Sequence, residues 1–141
     1  MEMLEHGRAV LAAQPFSQLV GAELTRFAPG EAEIALAITP SLKQQDGFVH
    51  GGVLAFLADN ALTFAGGSVL MGVLTSELKI NYLRPGVGER LIARATVLSH
   101  GRSQAVCRCE IFALSDGVEK LCAAAQGTIA KVSPPGGNSD A

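Results

Sequence analysis

Apolar and polar residues change period several times along the chain, and each change marks an element. Ala32, Ile34, Leu36 and Ile38 alternate with Glu31, Glu33, Ala35 and Ala37, the period of two that a half-buried strand requires. Residues 19–27 also suit a strand, and Pro29-Gly30 between the two runs is a turn signal, so together they predict a hairpin. Alternation returns over residues 73–83, with Leu74, Leu78, Ile80 and Tyr82 on one face and Thr75, Glu77, Lys79 and Asn81 on the other. Leu91, Ala93, Ala95 and Val97 line one face of a strand over 89–99, and further strands follow over 103–114 and 119–132. Pro85-Gly86, Gly101 and Ser115-Asp116-Gly117 supply the turns between them. A short helix is expected over 3–13, stopped before Pro15, and residues 40–49 read as a polar connection.

One stretch follows a different rule. Residues 50–66 read HGGVLAFLADNALTFAG, and Val53, Leu54, Phe56, Leu57, Ala61, Leu62 and Phe64 leave no wide polar face. A helix apolar on all sides is a buried helix. Gly66-Gly67 and Gly72 are expected to break it up ahead of the next strand. The order is then helix, hairpin, long buried helix and a four-strand meander, and the short connections make the strands antiparallel. An α+β architecture results, a curved antiparallel sheet of about six strands wrapped around one long buried helix. The outer side of that helix also needs cover, which a second subunit would supply. The 141 residues suit one domain over 1–132, with its core over 15–132 and a disorder-prone Ser/Pro/Gly tail over 133–141.

Composition narrows the function classes. Hydrophobic residues make up 48% and charged residues 17%, which describes a globular chain with surface to lose to an oligomer interface. A formal net charge of -2 with scattered cations lacks the basic footprint of a nucleic-acid binder. Residues 60–76 are uncharged but contain Asn60, Thr63, Gly66, Gly67, Gly72, Thr75 and Ser76, so no membrane span is expected there. Glu2, Glu5 and Arg8 interrupt any signal-peptide core, and a soluble cytoplasmic protein is the default expectation. Cys107, Cys109 and Cys122 form no CxxC and have no accompanying His or acidic cluster, so they read as buried reduced thiols rather than metal ligands.

The candidate chemistry lies in the apolar helix. Asp59 sits among apolar neighbours, where an unpaired carboxylate costs several kcal/mol, about 3–5 for a broken buried pair. Either it has a partner, such as Lys79 or an arginine, or it has a use. Thr63 follows one turn later on the same face. Gly51 and Gly52 open the helix, where backbone N–H groups are free and the dipole is positive. One such donor aimed at a developing oxyanion is worth about 3–4 kcal/mol. The same glycines would equally serve a tight loop-to-helix turn. His50 precedes the helix and suits capping or orienting more than acid–base work. Eight helical residues rise about 12 Å, so Gly51 and Asp59 of one chain cannot both touch one carbonyl. If both act, they come from two antiparallel helices in a dimer with two equivalent shared sites. No GxSxG is present, so a serine-hydrolase triad has no support.

Three motifs in order, His50-Gly51-Gly52, Leu57-Ala58-Asp59-Asn60-Ala61 and Asn81-Tyr82-Leu83-Arg84-Pro85-Gly86, resemble the hotdog-fold acyl-CoA thioesterases, in their PaaI-like branch related to phenylacetate metabolism. The resemblance covers roughly residues 15–132. It implies that Asp59 is the catalytic acid, working as general base or nucleophile, and that the Gly51 N–H of the partner subunit binds the thioester oxygen. Gln44 falls where relatives place an Asn or Gln that positions the water or the carbonyl, Asn being commoner. Thr63 and Thr75 match positions where hydroxyls assist, and His50 and Gly52 would border the substrate. Arg102, with Arg84 as a second candidate, would meet the CoA phosphates. No cofactor is implied, since CoA is part of the substrate. A homodimer with shared active sites follows, often paired into a homotetramer. The expected activity is hydrolysis of an aryl-acetyl or short- to medium-chain acyl-CoA. Alternatives are a hotdog hydratase or dehydratase and a non-catalytic acyl-CoA-binding protein.

Overall fold

A computed structural model describes residues 2–133. The alternating runs become β1 (Glu23–Ala28), β2 (Glu31–Ala37), β3 (Val73–Tyr82), β4 (Arg90–His100), β5 (Gln104–Ser115) and β6 (Val118–Lys131). They form one antiparallel sheet in the order β1-β2-β4-β5-β6-β3. The chain leaves β2 near one edge and re-enters as β3 at the other, so the connection must cross a whole face of the sheet. That connection is the apolar helix α3 (Gly51–Leu70). Bulges in β1, β3, β4 and β6 bend the long strands, which lets the sheet curl around it. Ile34, Leu36, Leu91, Ile111 and Ile129 of the sheet meet Leu57, Ala58, Ala61 and Leu62 of α3 in a closed core. Each fully buried leucine or isoleucine there contributes about 1.5–3 kcal/mol. By length and composition α3 would pass for a membrane span; its packing under the sheet accounts for that composition.

Two short helices precede the sheet. α1 (Glu2–Ala12) lies on β1, with Arg8 Nε donating to the Leu24 carbonyl at 3.0 Å and Gly7 letting Leu24 and Phe27 come close. α2 (Pro15–Val20) occupies part of the run expected to be a strand from residue 19. Pro15 at the first helical position and Gly21 at φ 83° after the last are start and stop signals, and they outweigh the β-propensity of Leu19 and Val20. Residues 40–42 form a 3-10 turn in the polar connection.

Two other expectations change. α3 does not break at Gly66-Gly67 but runs to Leu70, where Met71 adopts φ 76°. Gly66 is a packing residue: a Cβ there would stand 2.7 Å from Ile129 of β6. The face assignment of β3 also fails at its start. Thr75 pairs with Ile129 and Glu77 with Thr128, so Ser76 is an extra residue and the alternation shifts by one. Leu74 therefore points outward at 64% exposure, and Thr75 turns inward with Val73, toward α3. The predicted tail lies outside the described residues from position 134 onward.

The sheet covers only part of α3. Gly52, Ala55, Phe56, Asp59, Thr63 and Gly67 recur at helical spacing as a stripe that is not fully buried. Phe16 of α2 covers one point of it, edge-to-face on Phe56 at 5.0 Å.

Candidate active site

The helix and the bulge together build a hydroxyl–carboxylate cluster. Thr75 Oγ1 donates to Asp59 Oδ1 at 2.5 Å. Thr63 Oγ1 lies 2.8 Å from Thr75 Oγ1, 2.7 Å from the Asp59 carbonyl and 3.4 Å from Asp59 Oδ1. One carboxylate oxygen is thus held by a charge-assisted bond, and the other has no hydrogen-bond partner among the described residues. Among the described residues, no lysine or arginine lies within ion-pair distance of Asp59. Lys79, the suggested partner, lies on the outer face of the sheet beside Arg108 and Gln126.

A second cluster forms at the start of α3. His50 Nδ1 accepts from Gly52 N–H at 2.8 Å, so the imidazole is the N-cap and carries its proton on Nε2. That bond removes Gly52 from the free donors. Gly51 N–H has no acceptor among the described residues. Tyr82, at the end of β3, donates its hydroxyl to the Gly51 carbonyl at 3.1 Å and lays its ring 3.5 Å from where a Cβ would be. Gln44 Oε1 accepts from Asp46 N–H at 2.6 Å and Phe48 N–H at 3.3 Å, which shapes the loop and turns its amide NH₂ outward.

The two clusters do not meet within one chain, because about 12 Å of helix separates Gly51 from Asp59. The arginines divide the same way. Arg84 and Arg102 are exposed beyond opposite ends of β4, a strand about 33 Å long. Arg102 lies at the Asp59 end, since the neighbouring Ser103 carbonyl bonds Lys131 N–H and Lys131 pairs with Val73. Arg84 lies at the Gly51 end, next to Tyr82.

Two features escape a reading of the sequence. Periodicity places Tyr82 only on an apolar face, although it stands in the Asn81–Gly86 motif. Asn60, buried, donates to Ser17 Oγ at 3.1 Å and Gln14 Oε1 at 3.3 Å, and so locks α2 onto α3. The cue is a polar residue on a helix with no polar face. The thiols of Cys107 and Cys109 are pushed up to about 11 and about 12 by burial, and burial raises Cys122 as well. All three are buried and unpaired.

A long helix wrapped by a six-stranded antiparallel sheet is the architecture of the hotdog thioesterases. The thioesterase superfamily profile matches residues 46–120, and the chain belongs to that superfamily, in its PaaI-like group. It is similar to the medium/long-chain acyl-CoA thioesterase YigI of Escherichia coli K12, at 30% identity over 74% of this chain and 79% of YigI. The acyl-coenzyme A thioesterase PaaI of Escherichia coli K12 is 28% identical over 76% of this chain and 77% of PaaI. Its solved structure superposes with a TM-score of 0.81 at 25% identity, covering 92% of each chain. A thioesterase family protein from Silicibacter pomeroyi superposes with a TM-score of 0.85 at 34% identity, covering 87% of this chain and 93% of the other.

Proposed function

We propose that this protein hydrolyses the thioester bond of an aryl-acetyl or short- to medium-chain acyl-CoA, with Asp59 as the acting group. The observation that carries this reading is the Thr75–Asp59–Thr63 cluster, a half-buried carboxylate held by hydroxyls and by no cation. The free Asp59 oxygen takes a proton from water while that water attacks the carbonyl carbon, or attacks the carbon itself. The oxyanion that forms is held by Gly51 N–H, and the C–S bond then breaks. In the general-base form the Asp59 proton passes to the departing thiolate, leaving a carboxylic acid and CoA; in the nucleophilic form the thiolate departs from an acyl–Asp59 anhydride, which water then cleaves to the acid, one water proton going to the thiolate. Gln44 NH₂ is the donor available to orient water or carbonyl, while His50 caps Gly52 N–H and Tyr82 holds the Gly51 carbonyl. His50 Nδ1 is engaged as the cap, which supports an orienting role for this residue over acid–base work.

The site is shared between two subunits in this proposal. Antiparallel α3 helices, packed along the stripe through Gly52, Ala55 and Asp59, bring each Asp59 beside the other chain's Gly51. The small side chains permit that approach. β3 supports the pairing as well: it is an unprotected edge strand of 10 residues with Leu74 and Tyr82 exposed, able to extend the sheet into a second copy. The same arrangement brings Arg102 of one chain and Arg84 of the other to one end of the cleft, where CoA phosphates would lie. A homotetramer would be a pair of such dimers. Three reduced thiols suit a reducing compartment, and we place the activity in the cytoplasm.

The test is thiol release from an acyl-CoA panel combined with subunit mixing. Asp59→Asn removes the acid. Gly51→Pro removes only the N–H, since proline suits the first helical position and His50, at φ -61° and ψ 136°, already has the conformation that precedes proline. Each homodimer should lose at least about a hundredfold in kcat/KM. Co-refolded in equal amounts, they should recover about a quarter of wild-type activity, because half the dimers carry one intact site. No recovery would mean that each site lies within one chain, and full activity of Asp59→Asn would remove Asp59 from the mechanism.

A further inference from the structure

The thioester reaction uses the open stripe of α3 only as far as Thr63, yet the stripe continues. Beyond it lies a cavity of about 530 Å³ between α1 and the second half of α3. Its walls are mainly apolar: Met3 and Val10 of α1, Phe27 of β1, and Phe64, Gly67 and Met71 of α3 and its end. The volume falls in the range of small-molecule sites. Thr63 and Val73 also line it, and they are the neighbours of Asp59 and Thr75, so the cavity opens onto the carboxylate cluster. Gly67 contributes no side chain, and the nearest atom to a Cβ built there is Val73 Cγ2 at 3.4 Å. Gln14, the one amide at the wall, is already committed to Ser17 and Asn60. Ser68, also at the wall, is committed to Gly30 N–H and the Ala65 carbonyl, and His6 of α1 is exposed, so the interior surface recognises hydrocarbon.

We infer that this cavity is the acyl-chain subsite and that it makes the protein selective for medium-length, unbranched acyl thioesters. The inference rests on the hydrolase reading above and adds the substrate class. From Thr63 to Met71, α3 rises about 12 Å. An extended alkyl chain advances about 1.3 Å per carbon, given C–C bonds near 1.5 Å. Asp59 Oδ1 lies 3.4 Å from Thr63 Oγ1, so a chain whose carbonyl stands beside both starts at the level of Thr63 and reaches Met71 with about nine further carbons, the length of a decanoyl group. α1 forms the roof, which makes its apolar side a specificity element rather than an appendage.

The measurement is kcat/KM of the full-length protein for saturated acyl-CoAs from C2 to C16, with phenylacetyl-CoA included. Wild type should gain about three- to fourfold per added methylene above C4, the factor expected for burying each one, and stop gaining near C10. Gly67→Leu, which fills the channel, and Val10→Trp, which fills it from α1, should each lower the decanoyl to butyryl ratio at least tenfold. A ratio of two substrates within one preparation does not depend on how much of a variant is folded, so partial misfolding cannot mimic the result. A wild-type profile that is flat or favours phenylacetyl-CoA, or a ratio that neither variant moves, would overturn the acyl subsite while leaving the hydrolase reading in place. No thiol release from any ester would overturn the hydrolase reading itself, and the subsite with it.

Discussion

Thr75→Val removes one hydroxyl and almost no volume, and it isolates the contact that holds the half-buried Asp59 carboxylate. Each threonine hydroxyl has one proton to give. Thr75 gives its proton to Asp59 Oδ1 at 2.5 Å, so Thr63 must give its own to the Thr75 oxygen at 2.8 Å or to the Asp59 carbonyl at 2.7 Å. In the Thr75→Val variant the carboxylate keeps only Thr63 at 3.4 Å, too long to replace the lost bond. Hydrogen bonds to charged groups are worth about 1.5–3 kcal/mol. If Asp59 must be held in one rotamer through the reaction, kcat/KM should fall about 10- to 150-fold. Thr75→Ser keeps the hydroxyl and should stay within about threefold of wild type. Thr63→Val removes a neutral bond of about 0.5–1.5 kcal/mol and should cost about 2- to 12-fold. The assay is thiol release at saturating and limiting acyl-CoA, normalised to folded protein by circular dichroism. Thr75→Val with a lowered melting temperature but an unchanged rate would refute the reasoning, because the hydroxyl would then serve only the fold. Equal losses in Thr75→Ser and Thr75→Val would refute it differently, by assigning the effect to the γ-methyl contact.

The glycines of α3 should separate in a thermal melt. Gly66→Ala forces a Cβ within 2.7 Å of Ile129 and should cost about 1–3 kcal/mol, whereas Gly67→Ala meets nothing nearer than 3.4 Å and should be neutral or stabilising by up to about 1 kcal/mol. His50→Ala removes the cap on Gly52 N–H and should cost about 0.5–2 kcal/mol in denaturant unfolding, with His50→Asn recovering most of it. The cysteines should be inert to a thiol reagent at pH 8 in the native state and react as three per chain in denaturant. Since burial raises Cys107 to about 11 and Cys109 to about 12 from an ordinary 9.0, the folded state binds protons the unfolded state has released above pH 9. Stability should therefore be level below pH 9 and decline from pH 9 toward 12, and Cys109→Ala should make that decline shallower.

Local pattern was enough for the architecture. Period-two alternation located β2 and β4 within a residue or two, because a strand with one buried face must alternate wherever it pairs, and the turns at Gly101 and Ser115-Asp116-Gly117 bounded β5 and β6 as closely. An apolar helix in the middle of the chain had to lie under those strands, and a lone carboxylate on it had to be paired or used. The Gly51–Asp59 spacing alone separated the two candidate clusters, since helical rise is the same in every protein. What pattern could not reach were the properties that belong to a pair of distant residues. Ser76 is a bulge only because Thr75 and Glu77 pair with adjacent residues of β6, and that one-residue slip is what turns Thr75 toward Asp59. Gly66-Gly67 looks like a helix stop until Ile129 is placed against it. Gly52 looks as free a donor as Gly51 until the His50 ring folds back onto it, and Tyr82 looks like a core residue until its hydroxyl finds the Gly51 carbonyl. Periodicity reports which face of an element is buried; which atoms meet there depends on partners tens of residues away, and only the packed chain brings them together.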